Sequence, residues 1–206
     1  MFKVILKTAI KTIFVVAVLA LVAFAIASLG FPSSMADFCE KSGNYSLATG
    51  YASLSYTYSG DVNDLNRCFL DSVYAENDNN IVKFGEKLIS DEKFAEVCEN
   101  NSKTYITSNG TKIEVDYKQY VNGNVALAKY RKGNKEEALS VATAAMDGVA
   151  GFPVNNALAV LSLQVIQSGD KDTADKLLTE IDKHQDLESE YYTALKNELT
   201  KVGGEE

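Results

Sequence analysis

The sequence predicts an all-α protein in which one apolar N-terminal helix precedes a series of antiparallel helix pairs. Three observations support this fold class. Residues 13–29 form an uninterrupted run of 17 apolar and small residues. Downstream, apolar residues recur at helical spacing. These periodic stretches are separated by Gly-Asn, Gly-Asp and Asn-Asp pairs, which end one helix and cap the next.

The first 36 residues are basic as well as apolar, with Lys3, Lys7 and Lys11 and no acidic residue. Seventeen helical residues rise about 25 Å, and flanking residues extend the run towards the hydrocarbon thickness of about 30 Å. We therefore predict a cytoplasmic segment at 1–12 and a transmembrane anchor at 13–31. Because the lysines precede the apolar run, the main domain is expected to be extracytoplasmic.

A cleaved signal peptide is the alternative interpretation of this segment. Ser34-Met35-Ala36 places small residues where a signal peptidase reads the chain, and cleavage there leaves Asp37 as the new N-terminus. The apolar run is longer than the usual core of about 7–15 residues, which favours the uncleaved anchor. Both interpretations export the domain, and cleavage would make the protein secreted.

Residues 32–202 are predicted to form one helical domain, followed by a flexible tail at 203–206. Segment 45–58 has Leu47, Tyr51, Leu54 and Tyr58 on one face. The short connections between helices make sequential helices antiparallel neighbours. The ten predicted helices cover 33–42, 45–58, 62–75, 79–89, 91–100, 116–132, 135–147, 153–168, 171–182 and 188–201.

One segment, 104–115, departs from the helical pattern. Asn109-Gly110 lies between β-branched residues, which is the strongest short-range signal of a hairpin. A two-residue turn there pairs Ile106 with Ile113 and Thr104 with Val115. We therefore predict a short β-hairpin whose Ile106 and Ile113 side packs on the helices, because an isolated hairpin is only marginally stable.

A repeat is visible at a spacing of 36 residues. Gly133-Asn134-Lys135-Glu136-Glu137-Ala138 aligns with Gly169-Asp170-Lys171-Asp172-Thr173-Ala174, and Gly43-Asn44-Tyr45-Ser46-Leu47-Ala48 has the same form. The alanine in each set allows close approach of the paired helix. This pattern resembles the tetratricopeptide repeat, a helix pair of about 34 residues, over 116–182 and more loosely over 33–100. Lys129 and Ala142 depart from the family pattern, where an aromatic and a larger residue are usual.

The resemblance implies an α-solenoid whose partners bind along the concave face built by the first helix of each pair. The residues of this chain at the family's concave-face positions are the candidate partner-binding residues. They include tyrosine and arginine, which are typical of binding hot spots. These candidates are Tyr120, Tyr130, Arg131, Asn156 and Gln167.

The sequence favours no catalytic site, cofactor or metal. Residues 37–206 hold 17 basic and 28 acidic residues, a net charge of −11, which argues against nucleic-acid binding. His184 is the only histidine and lies in a charged stretch, so it lacks the partners that general-base catalysis needs. No phosphate-binding loop or paired zinc ligands occur.

Cys39, Cys68 and Cys98 are an odd number for an exported chain. Each has apolar neighbours at helical spacing, so we expect small buried hydrophobic residues. A disulfide between Cys39 and Cys68 is left open, because sequence does not determine pairing.

These observations favour a membrane-tethered, extracytoplasmic helical-repeat scaffold that binds a protein or peptide. A secreted or envelope-associated structural protein and an accessory enzyme with an unrecognised site are the alternatives.

Overall fold

The computed structural model describes the backbone of residues 2–101, 103–106, 110 and 112–204, and the side chains of 10–101, 110, 112 and 114–204. The prediction of an all-α fold is confirmed, since 78% of the chain is helical. The first helix, α1 (Phe2–Gly30), contains a 21-residue span, Ile10–Gly30, with a mean hydropathy of 2.8 and no burial against the rest of the chain. This helix is long and apolar enough to cross a membrane.

Ten further α-helices, one short 3₁₀-helix (Asp182–His184) and one hairpin follow among the described residues. The helices are α2 (Pro32–Lys41), α3 (Tyr45–Ser59), α4 (Val62–Tyr74), α5 (Asp78–Ile89), α6 (Phe94–Asn100), α7 (Tyr117–Arg131), α8 (Lys135–Ala145), α9 (Ala157–Ser168), α10 (Lys171–Ile181) and α11 (Glu190–Gly203).

Each helix predicted from residue 33 onwards is present, and two begin three or more residues later than predicted. Helix α6 begins three residues late, because the Asp91 carboxylate accepts a hydrogen bond from the Lys93 amide and forms a turn before the helix. Helix α9 begins at Ala157, because Pro153 and Asn155, which has a φ of 59°, shape a turn that Asn156 then caps. At the C-terminus, Gly203 is buried at the end of α11, and residues 205 and 206 lie outside the described part.

The predicted hairpin is present as β1 (Lys103–Ile106) and β2 (Lys112–Val115), but its predicted register is wrong by one residue. Ile106 lies opposite Lys112, and Tyr105 lies opposite Ile113. In this register an odd number of residues separates paired positions, whereas a two-residue turn requires an even number. The predicted packing of the Ile106 and Ile113 side chains lies outside the described residues.

In four helix pairs, the turn between the two helices has the same geometry. The pairs are α2 and α3, α4 and α5, α7 and α8, and α9 and α10. In each, the backbone N–H of the residue before the second helix donates to a carbonyl five residues earlier, a Schellman motif. The residue preceding that donor has a positive φ. The donor and acceptor pairs are Asn44 to Cys39, Asn77 to Ser72, Asn134 to Lys129 and Asp170 to Val165, with N···O distances of 2.8, 3.0, 3.0 and 3.3 Å.

The positive-φ residues of these turns are Gly43, Glu76, Gly133 and Gly169, so the second turn has glutamate where the others have glycine. Glu76 follows Gly43 by 33 residues, and Gly169 follows Gly133 by 36. Helix α6 and the hairpin lie between the second and third pairs. The residue five positions after each turn residue is buried, and these are Ala48, Ile81, Ala138 and Ala174.

Helix α7 joins two hydrophobic clusters. Its residues Tyr117, Val121 and Val125 belong to a cluster with α2 to α6, and Ala126 and Tyr130 belong to a cluster with α8 to α11. Gly85 of α5 and Gly123 of α7 permit close approach, since a Cβ at Gly123 would lie 3.4 Å from Val160 of α9 and one at Gly85 would overlap Val125. Helices α2 to α11 thus pack into one continuous body around α7.

Candidate functional site

The first helices of the four pairs, α2, α4, α7 and α9, carry two neighbouring clefts, and we call their shared surface the first-helix face. The central cleft has a volume of about 490 Å³ and lies between α4, β2, α7 and α9. Its lining residues are Val73, Val115, Tyr120, Asn124, Asn155 and Val160. The mixture of valine side chains with two amides suits a ligand that has both apolar groups and hydrogen-bonding groups.

Tyr120 is held in the central cleft by aromatic neighbours. The Asp116 carboxylate caps α7 by accepting a hydrogen bond from the Gln119 amide at 3.1 Å. The Tyr120 ring then stacks on Tyr117 at a centroid distance of 5.7 Å and meets the edge of Phe69 at 6.3 Å. These contacts fix the orientation of Tyr120 before any partner binds.

The second cleft is polar, has a volume of about 610 Å³ and lies between α2, the start of α3, and α4. Arg67 crosses it from α4 to α2, with its Nε 2.5 Å from Glu40 Oε1 and its Nη2 2.5 Å from Asp37 Oδ1. Burial disfavours the Arg67 charge, but the hydrogen bonds to Glu40 and Asp37 outweigh burial and raise the pKa of Arg67.

Asp71 is the most perturbed acid of the polar cleft. It is 3% exposed, and its Oδ2 accepts no hydrogen bond. Burial and the neighbouring Glu40 raise the pKa of Asp71 to about 7, against the opposing effect of Arg67. A hydrogen bond connects the two clefts. The Tyr117 hydroxyl, whose ring stacks on Tyr120 of the central cleft, donates to Oδ1 of Asn66, which lines the polar cleft, at 2.6 Å.

The structure places the five predicted binding residues in different environments. Tyr120 lines the central cleft, while Arg131 and Gln167 are exposed. Asn156 is fully buried, and its side chain accepts from the Ala159 amide and donates to the Pro153 carbonyl. The Tyr130 hydroxyl bonds to Ser168 Oγ at 2.7 Å and donates to Asp170 Oδ2 at 2.8 Å.

Asn156 and Tyr130 therefore have roles within the fold. The first caps α9, and the second links α7 to α10. Arg131 makes a long ion pair with Asp78 at 3.7 Å, which ties the end of α7 to the start of α5.

Sequence reasoning missed most of the residues that line the two clefts. Asn124 follows Tyr120 by one helical turn, so the helical spacing contained a signal for it. Val160 and Val73 appear as ordinary core positions. Arg67 and Asp71 are four residues apart on α4, so helical spacing already places them on one face. The packing of α2 and α4 on α3 brings Asp37 and Glu40 to them, and the sequence gives no sign of this.

The three cysteines are unpaired, and Cys39 and Cys68 are buried as expected. Burial raises the pKa of Cys68 to about 12 and that of the half-buried Cys98 to about 11. Such thiols are poor nucleophiles at neutral pH. Among the residues with described side chains, no cluster of three His, Cys, Asp or Glu residues is arranged to hold a metal ion.

Comparison of the chain with protein-family models, curated proteins and solved structures gives no match.

Proposed function

We propose that this protein is a membrane-tethered, extracytoplasmic helical-repeat scaffold that binds a protein or peptide along its first-helix face and performs no catalysis. The observation that carries the proposal is the central cleft, because α4, α7 and α9, the first helices of three pairs, contribute to its lining. In the tetratricopeptide-repeat family, which the sequence resembles, partners bind on the first helices. Tyr120, one of the predicted binding residues, lines this cleft.

The helix-pair geometry supports a tetratricopeptide-like repeat. The four turns share one hydrogen-bond pattern, and two of the three intervals between them are 33 and 36 residues. In the C-terminal half, α7 packs on α8 and α9, and α9 packs on α8, α10 and α11. The first helix α7 therefore contacts both the second helix of its own pair and the first helix of the next pair. This arrangement is typical of stacked helix pairs.

The junction between α1 and α2 supports an uncleaved anchor. Helix α2 begins at Pro32, and both Pro32 and Ala36 are buried in the fold. Arg67 also donates to the Ser33 backbone carbonyl at 3.3 Å. Cleavage after Ala36 would remove the first half of α2 and these contacts. The lysines near the N-terminal end of α1 support an extracytoplasmic domain.

The lining of the central cleft indicates the chemistry of the partner. Three valines offer an apolar wall, and the Asn124 and Asn155 side chains offer amide donors and acceptors beside it. A peptide segment that inserts an apolar side chain and pairs its backbone with these amides fits this lining.

Site-specific photocrosslinking in intact cells tests the proposal. A photoreactive amino acid at Tyr120 or Asn124 should give a discrete adduct, and the Val160→Arg substitution should abolish it by filling the cleft. The same amino acid at Ala144, which is exposed on α8, is the control. Absence of an adduct from Tyr120 and Asn124, or identical adducts from all three positions, would contradict the proposal.

A further inference from the structure

The apolar face of α3 does not lie in the core. We call Leu47, Tyr51, Leu54 and Tyr58 the α3 stripe. Leu47 is 55% exposed and Tyr58 is 61% exposed, while Tyr51 and Leu54 are half-buried. The core is instead contacted by the small residues of α3, including Ala48, Ala52 and Ser55. Two of these four large side chains are thus exposed, and the other two are half-buried at the edge of the fold.

The segment that carries the stripe is also uncharged. No charged residue occurs in 42–60, between Lys41 and Asp61. Outside the N-terminal anchor, the other uncharged stretch of similar length is 148–169, which contains α9. Helix α9 is enclosed by α7, α8, α10 and α11. Helix α3 packs mainly on α2 and α4, so burial by protein does not explain its lack of charge. An exposed helix in water normally carries charged residues on its outer face.

The stripe continues the apolar surface of α1. The Tyr51 hydroxyl lies 3.1 Å from Ser28 Oγ of α1. Tyr58 borders a cleft together with Gly30 and Phe31, and Phe31 is 65% exposed. Ser28 and Gly30 are at the outer end of the 21-residue apolar span. The stripe therefore lies at the depth where the hydrocarbon meets the lipid headgroups.

We propose that the α3 stripe rests on the outer surface of the lipid bilayer, with Tyr51 and Tyr58 in the headgroup layer and Leu47 and Leu54 against the acyl chains. Tyrosine is enriched at this depth because its ring is apolar and its hydroxyl is polar. The absence of charge lets the helix leave water without desolvating an ion. This inference rests on the proposed membrane tether and adds a second contact, which fixes how the first-helix face is presented.

Tryptophan quenching tests this arrangement directly, because the native chain contains no Trp. The full chain is reconstituted into phosphatidylcholine vesicles as the Tyr58→Trp variant, with lipids brominated near the glycerol end of the acyl chain as quenchers. We expect the fluorescence to fall severalfold. The matched control is Leu187→Trp, which replaces a residue that is 81% exposed before α11 and should not be quenched.

A third reporter separates this inference from the membrane tether. Leu21→Trp, near the middle of the apolar span, should be quenched by lipids brominated near the bilayer centre. If Leu21→Trp is not quenched, the tether itself is wrong. If Leu21→Trp is quenched but Tyr58→Trp is no more quenched than Leu187→Trp, the bilayer contact of α3 is wrong. Shielding of the Tyr58→Trp reporter from aqueous iodide without lipid quenching would overturn the inference in favour of a protein occupant, such as a second copy.

Discussion

At the scale of single residues, the side chain of Gln119 connects three helices. Its Nε2 donates to the Ala145 carbonyl at 2.6 Å, and its Oε1 accepts from the Ala157 amide at 2.9 Å. Gln119 is 3% exposed, so both backbone groups are paired away from water. One residue of α7 thereby holds the end of α8 against the start of α9.

Replacing Gln119 by alanine should lower the free energy of unfolding by roughly 2–4 kcal/mol, because two buried backbone groups lose their partners. Gln167→Ala, at an exposed position on α9, should change it by no more than about 0.5 kcal/mol. Denaturant unfolding of the full chain in detergent micelles measures both. Equal effects of the two substitutions would show that the Gln119 bridge contributes nothing to stability.

Asp71 makes stability depend on pH. Its pKa is about 7 in the folded chain and about 3.9 in the unfolded chain, so the folded chain binds more protons between these values. Stability contributed by Asp71 is therefore greatest below about pH 4, falls as the pH rises towards 7, and stays low above it.

Asp71→Asn removes this titration and keeps the size of the side chain. We expect the variant to be more stable than the native chain by about 1–2 kcal/mol near pH 8, and the difference to shrink near pH 5. Asp172→Asn, at an exposed position on α10, is the control. Unfolding curves recorded between pH 5 and pH 8 measure the stability of each variant. A stability difference between Asp71→Asn and the native chain that does not change with pH would contradict the prediction.

At the scale of helices and strands, the repeated turns set how closely the paired helices approach. Ala138 and Ala174 are fully buried at equivalent positions after Gly133 and Gly169. The sequence predicted close packing there, and the burial of both side chains agrees with it. The second turn was predicted as a helix boundary but not recognised as part of the repeat, because Glu76 has the positive φ that glycine has in the other turns.

Ala138→Leu and Ala174→Leu should each cost about 1–3 kcal/mol of stability, because a larger side chain overpacks a filled interface. Ala144→Leu, at an exposed position on α8, provides the comparison and should cost little. Thermal or denaturant unfolding measures all three. If the two buried positions changed stability by less than about 0.5 kcal/mol, the repeat alignment would be incorrect.

At the scale of the whole molecule, the lysines of the anchor predict the topology. Residues 37–206 have a net charge of −11 and follow α1, whose lysines lie near its N-terminal end. The domain is expected on the side of the membrane opposite to these lysines.

Protease added to intact cells or protoplasts should therefore degrade the chain beyond residue 37, and alkaline carbonate should leave the anchored chain in the membrane pellet. A cytoplasmic protein examined in the same samples should stay intact. Recovery of a soluble fragment that begins at Asp37 would establish signal-peptide cleavage in place of anchoring.

The sequence alone determined the helices after residue 32 and the existence of the hairpin. Their signals are local, since caps such as Asn44 and Asp170 and the glycine turns act on backbone groups within a few residues. Most boundaries were therefore predicted within a residue or two, and α6 and α9 deviated where Asp91 and Asn155 form local turns before them.

Only the tertiary structure decided which side chains meet across the fold. The α3 stripe has the periodicity of a core face, yet it is left outside because Ala48 and Ala52 pack more closely on α2 and α4. Of the binding residues predicted from the repeat, Tyr120 lines a cleft, while Asn156 caps a buried helix end. Arg67 and Asp71 are neighbours on α4, but the approach of Glu40 to them depends on the packing of helices about 30 residues apart in sequence, which no local pattern encodes.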